Sequence, residues 1–300
     1  MNGDAAPPDI GALVEAGRAD EALALASARL AEAERTGDDA AVAAALLDEA
    51  RAQIAHGDRD EAVMTVDAAI SKARRGAGPR SPAYAAALEL GGEIAAAAAM
   101  PATADARFRA AVELLEELGV VGEPLANALV HQGLFRLRQG DVLPAARSFT
   151  EVLERATPGS ERWIAAALNE LGFLALAGGR VAQARALGDR ALEVLLELGR
   201  ARRVEVADGM TLVGCAALAE GAPQVSDDFL APAREIYAGC AGDVRARHGL
   251  ATRRHGHALA ALGRVEEARA ALRAAIDLHR EGTDERLEIE QELLDLAREG

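Results

Sequence analysis

A small residue closes an apolar stretch about every 41 residues, at Gly17, Gly57, Ala99, Gly140, Gly179, Gly221 and Gly263, in steps of 40, 42, 41, 39, 42 and 42. Seven places before each of the last six stands a second small residue: Ala50, Gly92, Gly133, Gly172, Gly214 and Gly256. Five places after six of the seven stands an alanine: Ala22, Ala62, Ala104, Ala145, Ala184 and Ala268, with Ser226 as the exception. Self-similarity at a fixed period marks a stack of like units, each too small to bury its apolar face alone.

The composition says what kind of unit is stacked. Half of the residues are hydrophobic but only 3% are aromatic, so the core must be built from Ala, Leu and Val. Alanine is the best helix former, and small side chains let helices approach closely. Alternating Val/Ile/Thr/Tyr runs between turn pairs are nearly absent, so the chain reads as all-α. In the fifth unit, Ser160 precedes a run carrying Ile164, Leu168, Leu171 and Leu176 on one helical face. Gly178-Gly179-Arg180 ends it, and a second helix follows from Val181 to about Leu198.

The same scheme predicts hairpins over 38–56 with 60–75, 81–98 with 101–118, 123–139 with 142–155, 202–219 with 223–239, and 243–261 with 264–280. A short helix after Pro8 makes 1–37 a truncated first repeat. Six full repeats are expected over 38–282, with an acidic capping helix over 283–300, all in one domain. Ser81 and Ser160 stand where N-caps belong. The sixth unit is the irregular one: Pro232 falls inside its expected second helix and predicts a kink or a start delayed to about Ala231.

Ala167 to Ala175 followed by Gly179 to Ala184 resembles a tetratricopeptide repeat. Its large–small–gap–Gly–x4–Ala pattern recurs at Leu129/Gly133/Gly140/Ala145 and at Leu46/Ala50/Gly57/Ala62. The seventh unit departs, with Thr252 at the large position. The period exceeds the usual ~34 residues of the family, which makes the chain look like the long-repeat variant of kinesin light chains. The resemblance implies a right-handed superhelical solenoid of antiparallel helix hairpins whose first helices line a concave groove. It also implies a non-catalytic interaction scaffold that binds a peptide or protein segment. A peptide- or metabolite-responsive regulatory sensor acting through a partner protein is the alternative.

On that register the groove positions are Asn127, Val130, His131, Leu134 and Arg138 in the fourth unit and Asn169, Glu170 and Phe173 in the fifth. An asparagine at Asn169 can both donate to and accept from an extended backbone. In a chain of net charge −15, the first helix of the seventh unit holds Arg245, Arg247, His248, Arg253, Arg254, His255 and His257. Arg253, Arg254 and His257 are expected to face the groove and clamp an anionic ligand. The competing reading is that they offset acids such as Glu266, Glu267 and the terminal helix.

Other chemistry lacks a signature. The acidic balance argues against nucleic acid, which needs a concentrated basic face. Lys72 is the only lysine and follows Ile70-Ser71, so no phosphate-binding loop is present. HExxH, CxxC, GxGxxG and Gly-x-Ser-x-Gly are also absent, so neither enzyme activity nor a cofactor is expected. His255 and His257 diverge around the helix, so no metal is expected from the histidine trio. Met1–Pro8 has no signal-peptide character, no apolar run is long enough to span a membrane, and Cys215 and Cys240 form no disulfide framework. A cytoplasmic setting is the expectation.

Overall fold

A computed structural model describes residues 9–155, 157–198, 203–240, 244–279 and 282–299, and every regular element among them is an α-helix. The chain divides after Ser160 into two compact units. The first holds α1 (Ile10–Glu15), α2 (Ala19–Thr36), α3 (Asp39–His56), α4 (Arg59–Gly76), α5 (Pro82–Ala97), α6 (Pro101–Glu117), α7 (Glu123–Arg138) and α8 (Val142–Glu154). The second holds α9 (Glu161–Ala177), α10 (Val181–Leu198), α11 (Arg203–Ala219), α12 (Pro223–Ala238), α13 (Arg245–Ala261), α14 (Val265–Leu278) and α15 (Asp284–Glu299).

Within each unit, consecutive helices pack as hairpins. Odd helices also pack on one another: α1 on α3, α3 on α5 and α5 on α7 in the first unit, and α9 on α11 and α11 on α13 in the second. Even helices show no comparable pairing among the described residues. The odd helices therefore form the tighter inner layer of each unit. No helix among the described residues is long and apolar enough to cross a membrane.

The periodic closers have one physical reason. Gly17, Gly57, Gly140, Gly179, Gly221 and Gly263 all lie at positive φ, between 70° and 108°. Ala99 takes the same place at φ 57° and is the sole non-glycine with positive φ among the described residues. A Cβ there crowds the neighbouring carbonyl, at a cost of about 1–2 kcal/mol. Ala99→Gly is therefore expected to stabilise the fold by about 1 kcal/mol, after allowing for glycine's extra unfolded-state entropy. A thermal or urea unfolding curve for the variant checks it, and a loss of stability would contradict the assignment.

The second small-residue series also has a partner, 16 positions on in every repeat but the fifth. A Cβ added at Gly92 would meet Phe108, at Gly133 Phe149, at Gly214 Leu230 and at Gly256 Leu272. In the earlier repeat the same two places hold Ala50 and Val66, both fully buried in one cluster. The fifth repeat breaks the rule, because Gly188 stands where the large residue belongs. Leu212 of α11 fills the gap instead, lying against both Gly172 and Gly188.

The alanines five places after the closers are all 0% exposed, and so is Ser226. The Ser226 hydroxyl has no hydrogen-bond partner. A buried unpaired polar group costs about 1–3 kcal/mol. Ser226→Ala should accordingly raise the unfolding free energy by about 1 kcal/mol, and a lower urea midpoint would rule this out.

Three local expectations meet different outcomes. Ser81 caps α5, its hydroxyl accepting from the Tyr84 amide at 3.2 Å. Ser160 makes no such bond, since its Oγ is buried without a partner. The delayed start near Ala231 is corrected: α12 begins at Pro223 and runs through Pro232. Proline fits the first turn at Pro223. Beyond it, Leu230, Ala233 and Tyr237, none more than 1% exposed, anchor the helix on both sides of Pro232. Their burial offsets the ~3 kcal/mol that an internal proline costs.

Candidate functional site

The inner layer of the first unit carries a polar cluster on two facing helices. Glu89 and Glu93 stand one turn apart on α5, and Asn127 and His131 one turn apart on α7. His131 Nδ1 lies 2.6 Å from Glu89 Oε1 and 3.0 Å from Glu93 Oε1. The Asn127 amide donates to both Glu89 oxygens, at 2.8 and 2.7 Å. Burial works against a charged imidazole here, but Glu93 and Glu89 outweigh it and raise the His131 pKa to about 10. Leu134 is half-buried and Arg138 exposed. Val130, expected in the groove, is instead core at 1% exposure.

In the second unit a charged network crosses three odd helices. Asn169 is 2% exposed rather than presented outward, and its amide donates to the Glu205 carbonyl of α11 at 3.1 Å. Next to it, Glu170 accepts from Arg247 Nη2 of α13. Arg247 Nη1 stands 3.3 Å from Asp208 Oδ1 on α11. Tyr237 donates its hydroxyl to that same oxygen at 2.5 Å. The Arg247 guanidinium also lies 4.6 Å above the Phe173 ring, a cation–π contact. Burial pushes the Asp208 carboxyl up to about 6, against the pull of Arg247 and Tyr237.

The basic helix α13 disperses its charge. Arg245 binds the last-turn carbonyls of α14, Leu278 at 2.9 Å and Asp277 at 2.8 Å. Arg253 pairs with Glu292 at 2.6 Å and Glu288 at 3.0 Å on α15, and His257 pairs with Glu292 at 2.9 Å. Arg253 and His257, expected to be offered to a ligand, are thus already engaged by α15. The competing reading named these same acids of the terminal helix. Arg254 is exposed and has no ion pair among the described residues.

His255 donates toward Asp227 at 2.6 Å, and burial holds its pKa below the ordinary imidazole range. His248 stacks on Tyr237 with centroids 6.0 Å apart. His248 and His255 line a cavity of about 560 Å³ between α12, α13 and α14, together with Arg234 and Thr252.

Sequence reasoning missed Glu89, Glu93, Asp208 and the inward role of Arg247. For Glu89 a signal existed. It stands three places before Gly92, in the register that Asn169 holds before Gly172 and Arg253 before Gly256. Arg247 and Asp208 share no such register, and only the packing of α9, α11 and α13 brings them together.

All-helical units of stacked hairpins, with glycine closers and an inner layer of odd helices, define the tetratricopeptide-repeat class of fold. The chain is similar to a tetratricopeptide repeat protein from Parabacteroides merdae (TM-score 0.50, 14% identity, covering 92% of this chain and 98% of that one). It is also similar to BtubC (BKLC) from P. vanneervenii (TM-score 0.63, 19% identity, 73% and 91%). A third similar structure is the APC/C hetero-tetramer Cut9–Hcn1 (TM-score 0.68, 12% identity), of whose matched chain the similarity covers 48%, against 95% of this one. No protein-family model and no curated protein matches the sequence. At these identities the likeness is one of fold.

Proposed function

We propose that the chain is a non-catalytic interaction scaffold that takes a peptide or protein segment along an odd-helix face. The observation that carries this reading is Arg247 on Phe173. The side chain is 30% exposed, yet two carboxylates and a ring hold it in place. An accessible side chain that is already fixed loses little entropy on binding, and Arg and aromatic residues supply most interface energy. Cut9–Hcn1, solved as a hetero-tetramer, supports the reading by analogy of fold.

In the first unit Asn127, His131, Leu134 and Arg138 would meet the segment. In the second unit, as a separate face, Phe173 and Arg254 would meet one. An anionic segment would also have to displace Glu288 and Glu292 from Arg253 and His257, so Arg254 would be the first cation to engage it.

Selection of displayed random peptides against the purified chain tests this reading, with Phe173→Glu and the outer-face variant Leu143→Glu alongside. Leu143 is 72% exposed on α8 and serves as the control. Selected peptides are expected to bind wild type and Leu143→Glu equally and to lose at least about 10-fold with Phe173→Glu, about 1.4 kcal/mol. Equal binding by all three would sink the proposal. So would a chain that selects no peptide but melts higher with a small metabolite, which would favour the sensor.

A further inference from the structure

Glu89, Glu93 and His131 form the one group of three ligand-type side chains found together among the described residues, with one donor atom of each within 4.8 Å of the others. We propose that this triad binds a divalent first-row transition-metal ion such as Zn²⁺ or Mn²⁺ on the inner face of the first unit. His131 is also among the residues proposed to meet a bound segment, but metal binding needs neither a peptide nor the second unit, so the two readings can fail separately.

Three features carry the assignment. The donors are one imidazole nitrogen and two carboxylate oxygens, a set suited to borderline cations. Metal bonds of about 2.0–2.2 Å place neighbouring donors roughly 3.3 Å apart in a tetrahedral shell. His131 Nδ1 already stands 2.6 and 3.0 Å from the two glutamates, so an ion needs them to open by roughly 0.7 and 0.3 Å to reach that spacing. Both carboxylates sit one turn apart on a helix that core side chains such as Leu90 and Ile94 hold in place.

The charge is the second feature. The cluster sets two carboxyl groups against a single imidazole, and the Glu89 side chain is only 11% exposed. A divalent ion bound there would replace the protons these groups share, which leave to solvent, and would sit between the same oxygens.

The third feature is outer-shell support. Asn127 holds the Glu89 carboxylate through its amide, in the role that orienting hydrogen bonds play around metal ligands. Its own Oδ1 is buried without a hydrogen-bond partner. The Glu93 side chain is 40% exposed, which gives an ion its entry path and leaves the remaining coordination to water.

Calorimetric titration of the tag-free, chelator-stripped chain with ZnCl₂ and with MnCl₂ tests the site, with metal content measured after dialysis. One equivalent should remain bound at micromolar affinity or better. Glu93→Gln and His131→Gln should each weaken binding at least about 10-fold, while Glu113→Gln, an exposed carboxylate on α6, should leave it unchanged. The Co²⁺ form should show d–d absorption from a nitrogen-containing site, lost in His131→Gln. Absence of stoichiometric metal in the wild-type chain overturns the proposal whatever the variants do. Undiminished binding by both ligand variants overturns it equally.

Discussion

Replacing Arg247 with methionine is expected to destabilise the second unit by about 3–5 kcal/mol, read as a lower midpoint in urea denaturation. The side chains of Glu170 and Asp208 are only 8% and 17% exposed, and Arg247 is the cation paired with both. Without it the two carboxylates face one another across α9 and α11 with no counter-charge. Burial already raises the Asp208 pKa to about 6 with the guanidinium present. The expected cost is therefore mostly that of stranding charge rather than the worth of the ion pairs.

Neutralising the acids as well should return most of the loss. The triple variant Glu170→Gln, Asp208→Asn, Arg247→Met is expected to lie within about 1–2 kcal/mol of wild type, since apolar or neutral replacements of a buried ionic group are often tolerated. Arg247→Lys should fall between, because an ammonium cannot reach two carboxylates and stack on Phe173 at once. A single Arg247→Met variant as stable as wild type would show that water already screens the network.

A second large effect is expected where α7 meets α8. Gly133→Ala alone should cost about 1–3 kcal/mol by overpacking, because the new methyl carbon would lie 2.6 Å from Phe149 Cε1 and 2.9 Å from Cζ. Phe149→Val alone should cost about 2–4 kcal/mol through the cavity it leaves. The double variant reproduces the Ala/Val pair that Ala50 and Val66 already make in an earlier repeat. Its cost should fall short of the sum by at least about 0.5 kcal/mol, the coupling expected of side chains in contact. Strict additivity would mean that the two positions do not share the space the structure gives them.

Much of the architecture was legible because its cause is local. The left-handed turn at each closer can be made cheaply only by glycine, so Gly57, Gly140, Gly179 and Gly263 appear in the sequence at the spacing of the hairpins. The alanines after them mark the closest helix approach and are visible for the same reason. Pro232 shows the limit of local reasoning. Its cost follows from its chemistry, but the burial of Leu230 and Tyr237 that offsets it belongs to tertiary packing. Gly188 was legible as a glycine, yet nothing nearby announced that Leu212, 24 positions on, would fill its place.

The candidate site was less legible. Arg253, Arg254 and His257 stood out as a basic cluster in an acidic chain, and the register placed them on one helix. The register could not show that Glu288 and Glu292 of another helix pair with Arg253 and His257 while leaving Arg254 exposed. Glu89 and His131 lie 42 positions apart, about one repeat, so although the register marked His131 as a groove position, nothing paired it with Glu89 until α5 and α7 were packed together. By itself the sequence determined the helices, their breaks and the stacking of like units, since these follow from backbone conformation and side-chain size within about 40 residues. Only the tertiary structure decided which charges meet. Helix register fixes the face a side chain occupies, but the partner across that face depends on how separate helices pack, and Coulomb energy depends on that distance and burial.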